Sequence, residues 1–181
     1  MAEGEDKRIP PFREEIKVCP RETLTFLWLK ESVKTKPYLI KSNVHEAEEL
    51  LETELFTEDE IIKAALGLVK RGVEIVVISR GEEGLIAATK ESICKAVPPP
   101  VKVRSAIGAG DCAIAGLALK LVHGEPLTEA CRLAVAMGTA AVLTRGNELC
   151  HKVDVERLLP EVKVWEVTTK ERAKVFFTAN N

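Results

Sequence analysis

Aromatic side chains are scarce in this chain: Trp28, Trp165, Tyr38 and five phenylalanines are its full complement over 181 residues. So thin a supply argues against a base-stacking platform for nucleic acid. Excess charge of one sign is also missing, since 26 Lys+Arg face 28 Asp+Glu for a net charge of −2. There is accordingly no basic field to attract a nucleic-acid partner. The five cysteines (Cys19, Cys94, Cys112, Cys131, Cys150) contain no C-x-x-C pair, and His45, His123 and His151 show no metal-ligand spacing. That pattern argues against a disulfide framework or a zinc site and for reduced, buried thiols in a cytoplasmic protein. Long apolar runs are lacking as well. The longest, Leu133 to Leu143, is interrupted by Gly138 and Thr139, far short of the ~20 residues a membrane span needs. The opening MAEGEDKRIPPF has no apolar segment of the kind a secretory signal carries.

What the chain does have is dense aliphatic content, 46% hydrophobic overall, with 11 Gly and 9 Pro. Collagen-like and wholly disordered chains are thereby excluded, and the length suits one domain with a core of Ala, Val, Leu and Ile. Residues 1–22 show neither helical nor strand periodicity, and residues 23–35 are expected to be a helix with Leu24, Leu27 and Val33 inward. A short buried strand is expected at Tyr38–Lys41, then a helix opened by Asn43-Val44-His45-Glu46. A second helix starts at the capping box Thr57–Glu60 and ends at Lys70-Arg71-Gly72. Glu74–Ser79 is a nearly unbroken β-branched run, as a central parallel strand covered on both faces would be.

Ser79–Gly84 reads as a turn between this strand and further strands at Leu85–Thr89 and Ser92–Val97. After Pro98-Pro99-Pro100, an extended segment leads into Gly108-Ala109-Gly110-Asp111 and a small-residue helix to about His123. Helices over Leu127–Leu143 and Val153–Leu159 follow. The order is that of an α/β protein with a mainly parallel sheet flanked by helices.

Gly108-Ala109-Gly110-Asp111 is the segment with chemistry in it. Two glycines let the backbone turn sharply and approach a ligand, and amides at a helix start can hold an anion. A carboxylate beside an anion hole is what alcohol phosphorylation requires: Asp111 would draw the proton from the attacking hydroxyl while the amides stabilise the transferring phosphoryl. The alternative is a helix-capping Asp after a glycine turn. Asn43 and Glu46 likewise form a good capping box on their own, Gly81 and Gly84 suit a plain hairpin turn, and Gly138 suits close helix packing. Cys112 reads as a small buried hydrophobe. The segment is neither a P-loop nor a dinucleotide fingerprint.

Read together, four segments resemble the ribokinase/PfkB family of carbohydrate kinases, and within it the 1-phosphofructokinase and tagatose-6-phosphate kinase branch. They are Lys36–Glu46 (KPYLIKSNVHE), Val77–Gly84 (VISRGEEG), Val103–Gly116 (VRSAIGAGDCAIAG) and Ala140–Asp154 (AAVLTRGNELCHKVD). The resemblance implies a ribokinase-like fold over residues 36–165, ATP and Mg²⁺ as cofactors, and a phosphorylated hexose as acceptor. It implies Asp111 as catalytic base and Gly108, Ala109 and Gly110 as the anion hole. Ser79, Gly81 and Gly84 would lie along the ATP phosphates, and Gly138, Gly146 and Asn147 would border the adenosine. Asn43 and Glu46 would help organise the metal, through water. Ser42, Arg80, Ala106 and Glu148 depart from the usual pattern. Residues 1–35 and 166–181 match nothing in it, so the family's N-terminal half, with its sugar-binding residues and lid, is expected to be missing. An exposed sheet edge would then favour a homodimer or a complementing N-terminal half.

Overall fold

The computed structural model describes residues 29–146 and 148–169. Asn147 and the expected helix positions Leu24 and Leu27 lie outside the described residues; residues 29–34 are helical, with Val33 buried. The elements that follow are β1 (Leu39–Asn43), α1 (Val44–Leu51), α2 (Glu58–Lys70), β2 (Ile75–Ser79), β3 (Leu85–Ala88), β4 (Ser92–Val97), α3 (Ala109–Val122), α4 (Leu127–Ala141), α5 (Lys152–Leu158) and β5 (Lys163–Thr168). No described helix is long and apolar enough to cross a membrane.

The strands form one sheet in the order β1-β2-β3-β4-β5. Only β1 and β2 run parallel; β2–β3, β3–β4 and β4–β5 are antiparallel. The sheet is therefore mixed, not mainly parallel. Connection length decides this: β1 reaches β2 through two helices, whereas β3 follows β2 after a 3-10 turn at Gly81–Glu83 and β4 follows β3 across residues 89–91. Parallel neighbours need a crossover of a dozen residues or more. Leu85–Ala88 is buried at every position, and such a run looks the same in either direction. β5 straddles residue 165, so the last strand takes in part of the tail that matched no motif.

Both sheet faces are covered, as the β2 run requires. Val76 and Ile78 join Ile61, Ile62, Leu68 and Val69 of α2 on one side. Ile75 and Val77 join Ala113, Leu117, Ala130 and Ala134 of α3 and α4 on the other. The α3–α4 crossing is tight because Gly116 sits against the Ala134 backbone, where an added Cβ would come within 2.9 Å of its Cα.

Candidate functional site

The carboxyl ends of the parallel pair β1 and β2 define one wall of a cleft of about 660 Å³, and the N-terminus of α3 defines another. Ligand sites of α/β sheets collect at strand carboxyl ends, and this volume is that of a small-molecule site. Its lining includes the apolar Pro98, Pro99, Val101, Val135 and Val142 and also Lys41, Asn43, Ser79 and Gly110. A cleft that combines apolar side chains with a cation and backbone amides suits a ligand with both a flat ring and phosphates.

Beside the cleft, α3 begins without a side-chain cap. Gly108 occupies the N-cap position in the left-handed conformation (φ 80°), and no side chain caps the helix. Asp111 therefore does not act as a cap. The Cys112 amide bonds the Gly108 carbonyl at 2.9 Å and the Ala109 amide reaches Ala106 at 3.4 Å. Among the described residues, the Gly110 and Asp111 amides have no carbonyl partner. Two free donors at the positive end of a 14-residue helix are chemically able to hold an anion. The Asp111 side chain is exposed and makes no hydrogen bond or ion pair among the described residues. Asp111 is not in the cleft lining, although its neighbour Gly110 is.

The Nζ of Lys41 lies 3.2 Å from where a Cβ on Gly110 would be. This cation, beside the free amides, escaped the motif-based reading. Period-two alternation was the available signal: Lys41 and Asn43 share a face of β1, so a residue assigned to the site carries its neighbour two positions back with it. Asn43 and Glu46 form the reciprocal capping box of α1, with Glu46 N–H donating to Asn43 Oδ1 and Asn43 N–H to Glu46 Oε2, each at 2.8 Å. Both side chains are thus partly spent. No group of three or more His, Cys, Asp or Glu among the described residues could hold a metal ion directly. The donors present fit an ion carried mainly by ligand phosphates and water, as Mg²⁺ commonly is.

The Ser79–Gly84 turn brings Ser79, Gly81 and Gly84 to the cleft. Ser79 Oγ donates to the Ser42 carbonyl at 3.2 Å, tying the ends of β1 and β2 together. Gly84 has a second, structural reason to be glycine: at φ 83° an added Cβ would fall 1.9 Å from the Ala96 carbonyl oxygen. Arg80 turns away from the cleft to Glu58, at 3.0 Å, and to Glu83. Burial alone would raise the Glu58 carboxyl, but the contacts from Lys95 and Arg80 outweigh it and hold the group below its ordinary value. Gly138 lines the cleft and also packs α4 onto α3, an added Cβ falling 3.2 Å from the Ala109 carbonyl. Gly108, Glu46 and Gly146 are not in the lining. The Gly146 carbonyl instead accepts from Ser105 Oγ at 2.7 Å, joining the loop after α4 to the segment before α3.

The model of the pfkB family carbohydrate kinases matches residues 23–153, which takes in the whole cleft. The chain belongs to this family. It is 34% identical over 142 residues to a 1-phosphofructokinase of Borreliella burgdorferi, covering 78% of this chain and 46% of that protein. To the ATP-dependent 6-phosphofructokinase isozyme 2 of Escherichia coli it is 38% identical over 121 residues, 66% of this chain and 39% of the relative. Among solved structures, phosphofructokinase-2 of E. coli in complex with substrates and products superposes with a TM-score of 0.72 at 34% identity, covering 75% of this chain and 45% of that one. Arabidopsis thaliana ribokinase complexed with ribose and ATP gives a TM-score of 0.64 at 25% identity, covering 72% and 43%. The fold is thus ribokinase-like, and the chain spans less than half the length of these relatives.

Proposed function

We propose that this chain is the nucleotide-side half of an ATP-dependent sugar-phosphate kinase that transfers the γ-phosphoryl of ATP to a hydroxyl of a phosphorylated hexose. The observation that supports it is the uncapped start of α3, where two unpartnered amides lie beside the Lys41 cation at the cleft and the unengaged Asp111 follows Gly110 in the chain. The acceptor hydroxyl gives its proton to Asp111 as its oxygen bonds to the γ-phosphorus, and the bond from that phosphorus to the bridging oxygen breaks to release ADP. The Gly110 and Asp111 amides, on the Gly108–Ala109–Gly110 turn, and Lys41 stabilise the negative charge of the transferring group. Ser79, Gly81 and Gly84 border the phosphates and Gly138 the nucleoside, with Gly146 and Asn147 assigned to the nucleoside by the family resemblance alone. Mg²⁺ bound with ATP would neutralise phosphate charge, and Asn43 and Glu46 would hold its waters.

The family resemblance assigns most sugar-binding residues to the N-terminal half of such kinases, so in this reading turnover calls for a complementing N-terminal half. Leu119 and Val122 of α3 are exposed, and β1 pairs on one side only among the described residues. An apolar helix stripe and an open strand edge are surfaces such a half would cover. A second copy of the chain is the other candidate partner. The second reading is a non-catalytic nucleotide-binding relic or interaction module, which the cleft alone would also serve.

Nucleotide binding is tested first. Ligand at 100 times its Kd stabilises the folded state by ~2.7 kcal/mol, which for this size raises the thermal midpoint by roughly 5–10 °C. Mg-ATP or Mg-ADP should produce that rise and a hexose phosphate with Mg²⁺ should not. Absence of any rise at millimolar Mg-ATP in folded protein removes the reading. With a complementing half supplied, Asp111→Asn should lower kcat by ~10²–10⁴ and leave ATP affinity nearly unchanged. Near-normal turnover would show that Asp111 is not the base, and no turnover in the unmodified pair would favour the binding module.

A further inference from the structure

The turn between β2 and β3 separates two cavities. Ser79 and Gly81 line the cleft described above and also a second hollow, of about 450 Å³, on the side of α1 and α2. Arg80 and Glu83 line the second hollow and not the cleft. Within the turn, the Arg80 amide donates to the Gly84 carbonyl at 2.8 Å and the Gly84 amide to the Gly81 carbonyl at 3.1 Å. Packing fixes the far end, where Gly84 lies against the Ala96 backbone. The near end has no such support: Gly81 is left-handed, at φ 59°, with nothing within 4 Å of its Cβ position. A glycine in open space has the widest backbone freedom of any residue. What restrains this end is the side chain of Arg80.

The Arg80 side chain is only 12% exposed and forks between two carboxylates, Nη1 donating to Glu58 Oε2 at 3.0 Å and Nη2 to Glu83. The same Glu58 oxygen accepts from Lys95 Nζ of β4 at 2.6 Å. Glu58 is itself the first residue of α2, whose start the Thr57–Glu60 capping box fixes. The turn, α2 and β4 are thus fastened at one carboxylate oxygen. Two cations face two carboxylates here, so the cluster brings no net charge to the cleft and acts on geometry. We propose that Arg80 is a positioning residue: clamped to Glu58 and Glu83, it holds Ser79 and Gly81 where they border the phosphates of a bound nucleotide. This rests on the nucleotide reading above. A turn ordered before the ligand arrives spares binding that loss of freedom. A planar guanidinium that reaches two carboxylates at once also holds a backbone more firmly than a single ammonium. Arg80 is absent from the cleft lining, so its effect passes through the turn.

The test titrates the full chain and its variants with Mg-ADP by calorimetry, at a temperature where each is folded. Arg80→Met should weaken binding by roughly five- to tenfold through the lost preorganisation. Arg80→Lys should recover part of that loss, because an ammonium reaches one carboxylate and not both. Glu58→Gln should weaken binding in the same direction, and the double variant with Arg80→Met should be little worse than Arg80→Met alone, since both remove one clamp. In the unliganded chain, hydrogen exchange over residues 80–84 should quicken in Arg80→Met, and Mg-ADP should slow it again. Where Arg80→Met does not fold, Arg80→Lys and Glu58→Gln carry the test, each expected to bind more weakly than the unmodified chain. Affinity unchanged in the folded variants, with or without faster exchange, would overturn the inference and leave the nucleotide reading standing. Losses that simply add in the double variant would overturn it too. No binding of Mg-ADP by the unmodified chain would remove the nucleotide reading and this inference together.

Discussion

The two helix layers of this protein begin their helices in opposite ways. On one face, α1 and α2 open with complete capping boxes, Asn43 with Glu46 and Thr57 with Glu60, so the first amides are satisfied by side chains. On the other, α3 and α4 open at Gly108 and Pro126 with no side-chain cap at all. Packing follows the same division. The capped face is built from Ile, Leu and Val, while the uncapped face is rich in Ala, Gly and Cys. Small residues let α3 and α4 approach closely, Gly116 against Ala134 and Gly138 against Ala109. A missing cap leaves donors free at the α3 terminus, where the cleft lies. The first layer holds the sheet, and the second gives up local stability to keep a site open.

The comparison is sharpest at the free terminus. Gly110→Val should remove the whole nucleotide-dependent rise of roughly 5–10 °C, because its side chain would occupy the space between the amides and Lys41. Retention of the rise, measured on folded protein, would place the phosphates elsewhere. Next in size is a pair of identical changes on the two layers. Gly116→Ala should destabilise by ~1–3 kcal/mol, since its Cβ would meet the Ala134 backbone. Gly67→Ala in α2 has nothing within 4 Å and should stabilise by ~0.5–1 kcal/mol through helix propensity. Denaturant midpoints of the two variants should move in opposite directions; movement the same way would mean the layers are packed alike.

The smallest effect is an acid one. Glu58 at the start of α2 is held below the ordinary value of 4.5, with burial opposing and the Lys95 and Arg80 contacts prevailing. A carboxyl lowered by folding adds stability that is present above its unfolded value and is lost as pH falls through the folded one. Glu58→Gln should therefore lower stability slightly at pH 7 and flatten the acid limb below pH 4.5. An unchanged acid limb would mean that the Arg80–Glu58–Lys95 contacts contribute nothing to the capped layer.

Much of this was legible in the sequence, because local chemistry determines it. A β-branched run cannot avoid being a buried strand at Ile75–Ser79, Thr57 and Glu60 satisfy each other within one turn, and Gly108 supplies the left-handed residue from which α3 starts. These interactions span a few residues and need no partner from elsewhere. Strand direction was not legible, since Leu85–Ala88 buries every side chain in either orientation. Residues 163–168 were missed as a strand because most of β5 is exposed, and its pairing with β4 is what makes it one. Lys41 beside Gly110 and Gly84 against Ala96 are contacts between segments 69 and 12 residues apart. No periodicity carries such distances. The sequence by itself determined the elements, their caps and the glycine turn, through interactions that close within a turn of backbone. Only the tertiary structure decided which cation faces the free amides and which backbone closes on Gly84, because those depend on how the sheet brings remote strands and helix starts together.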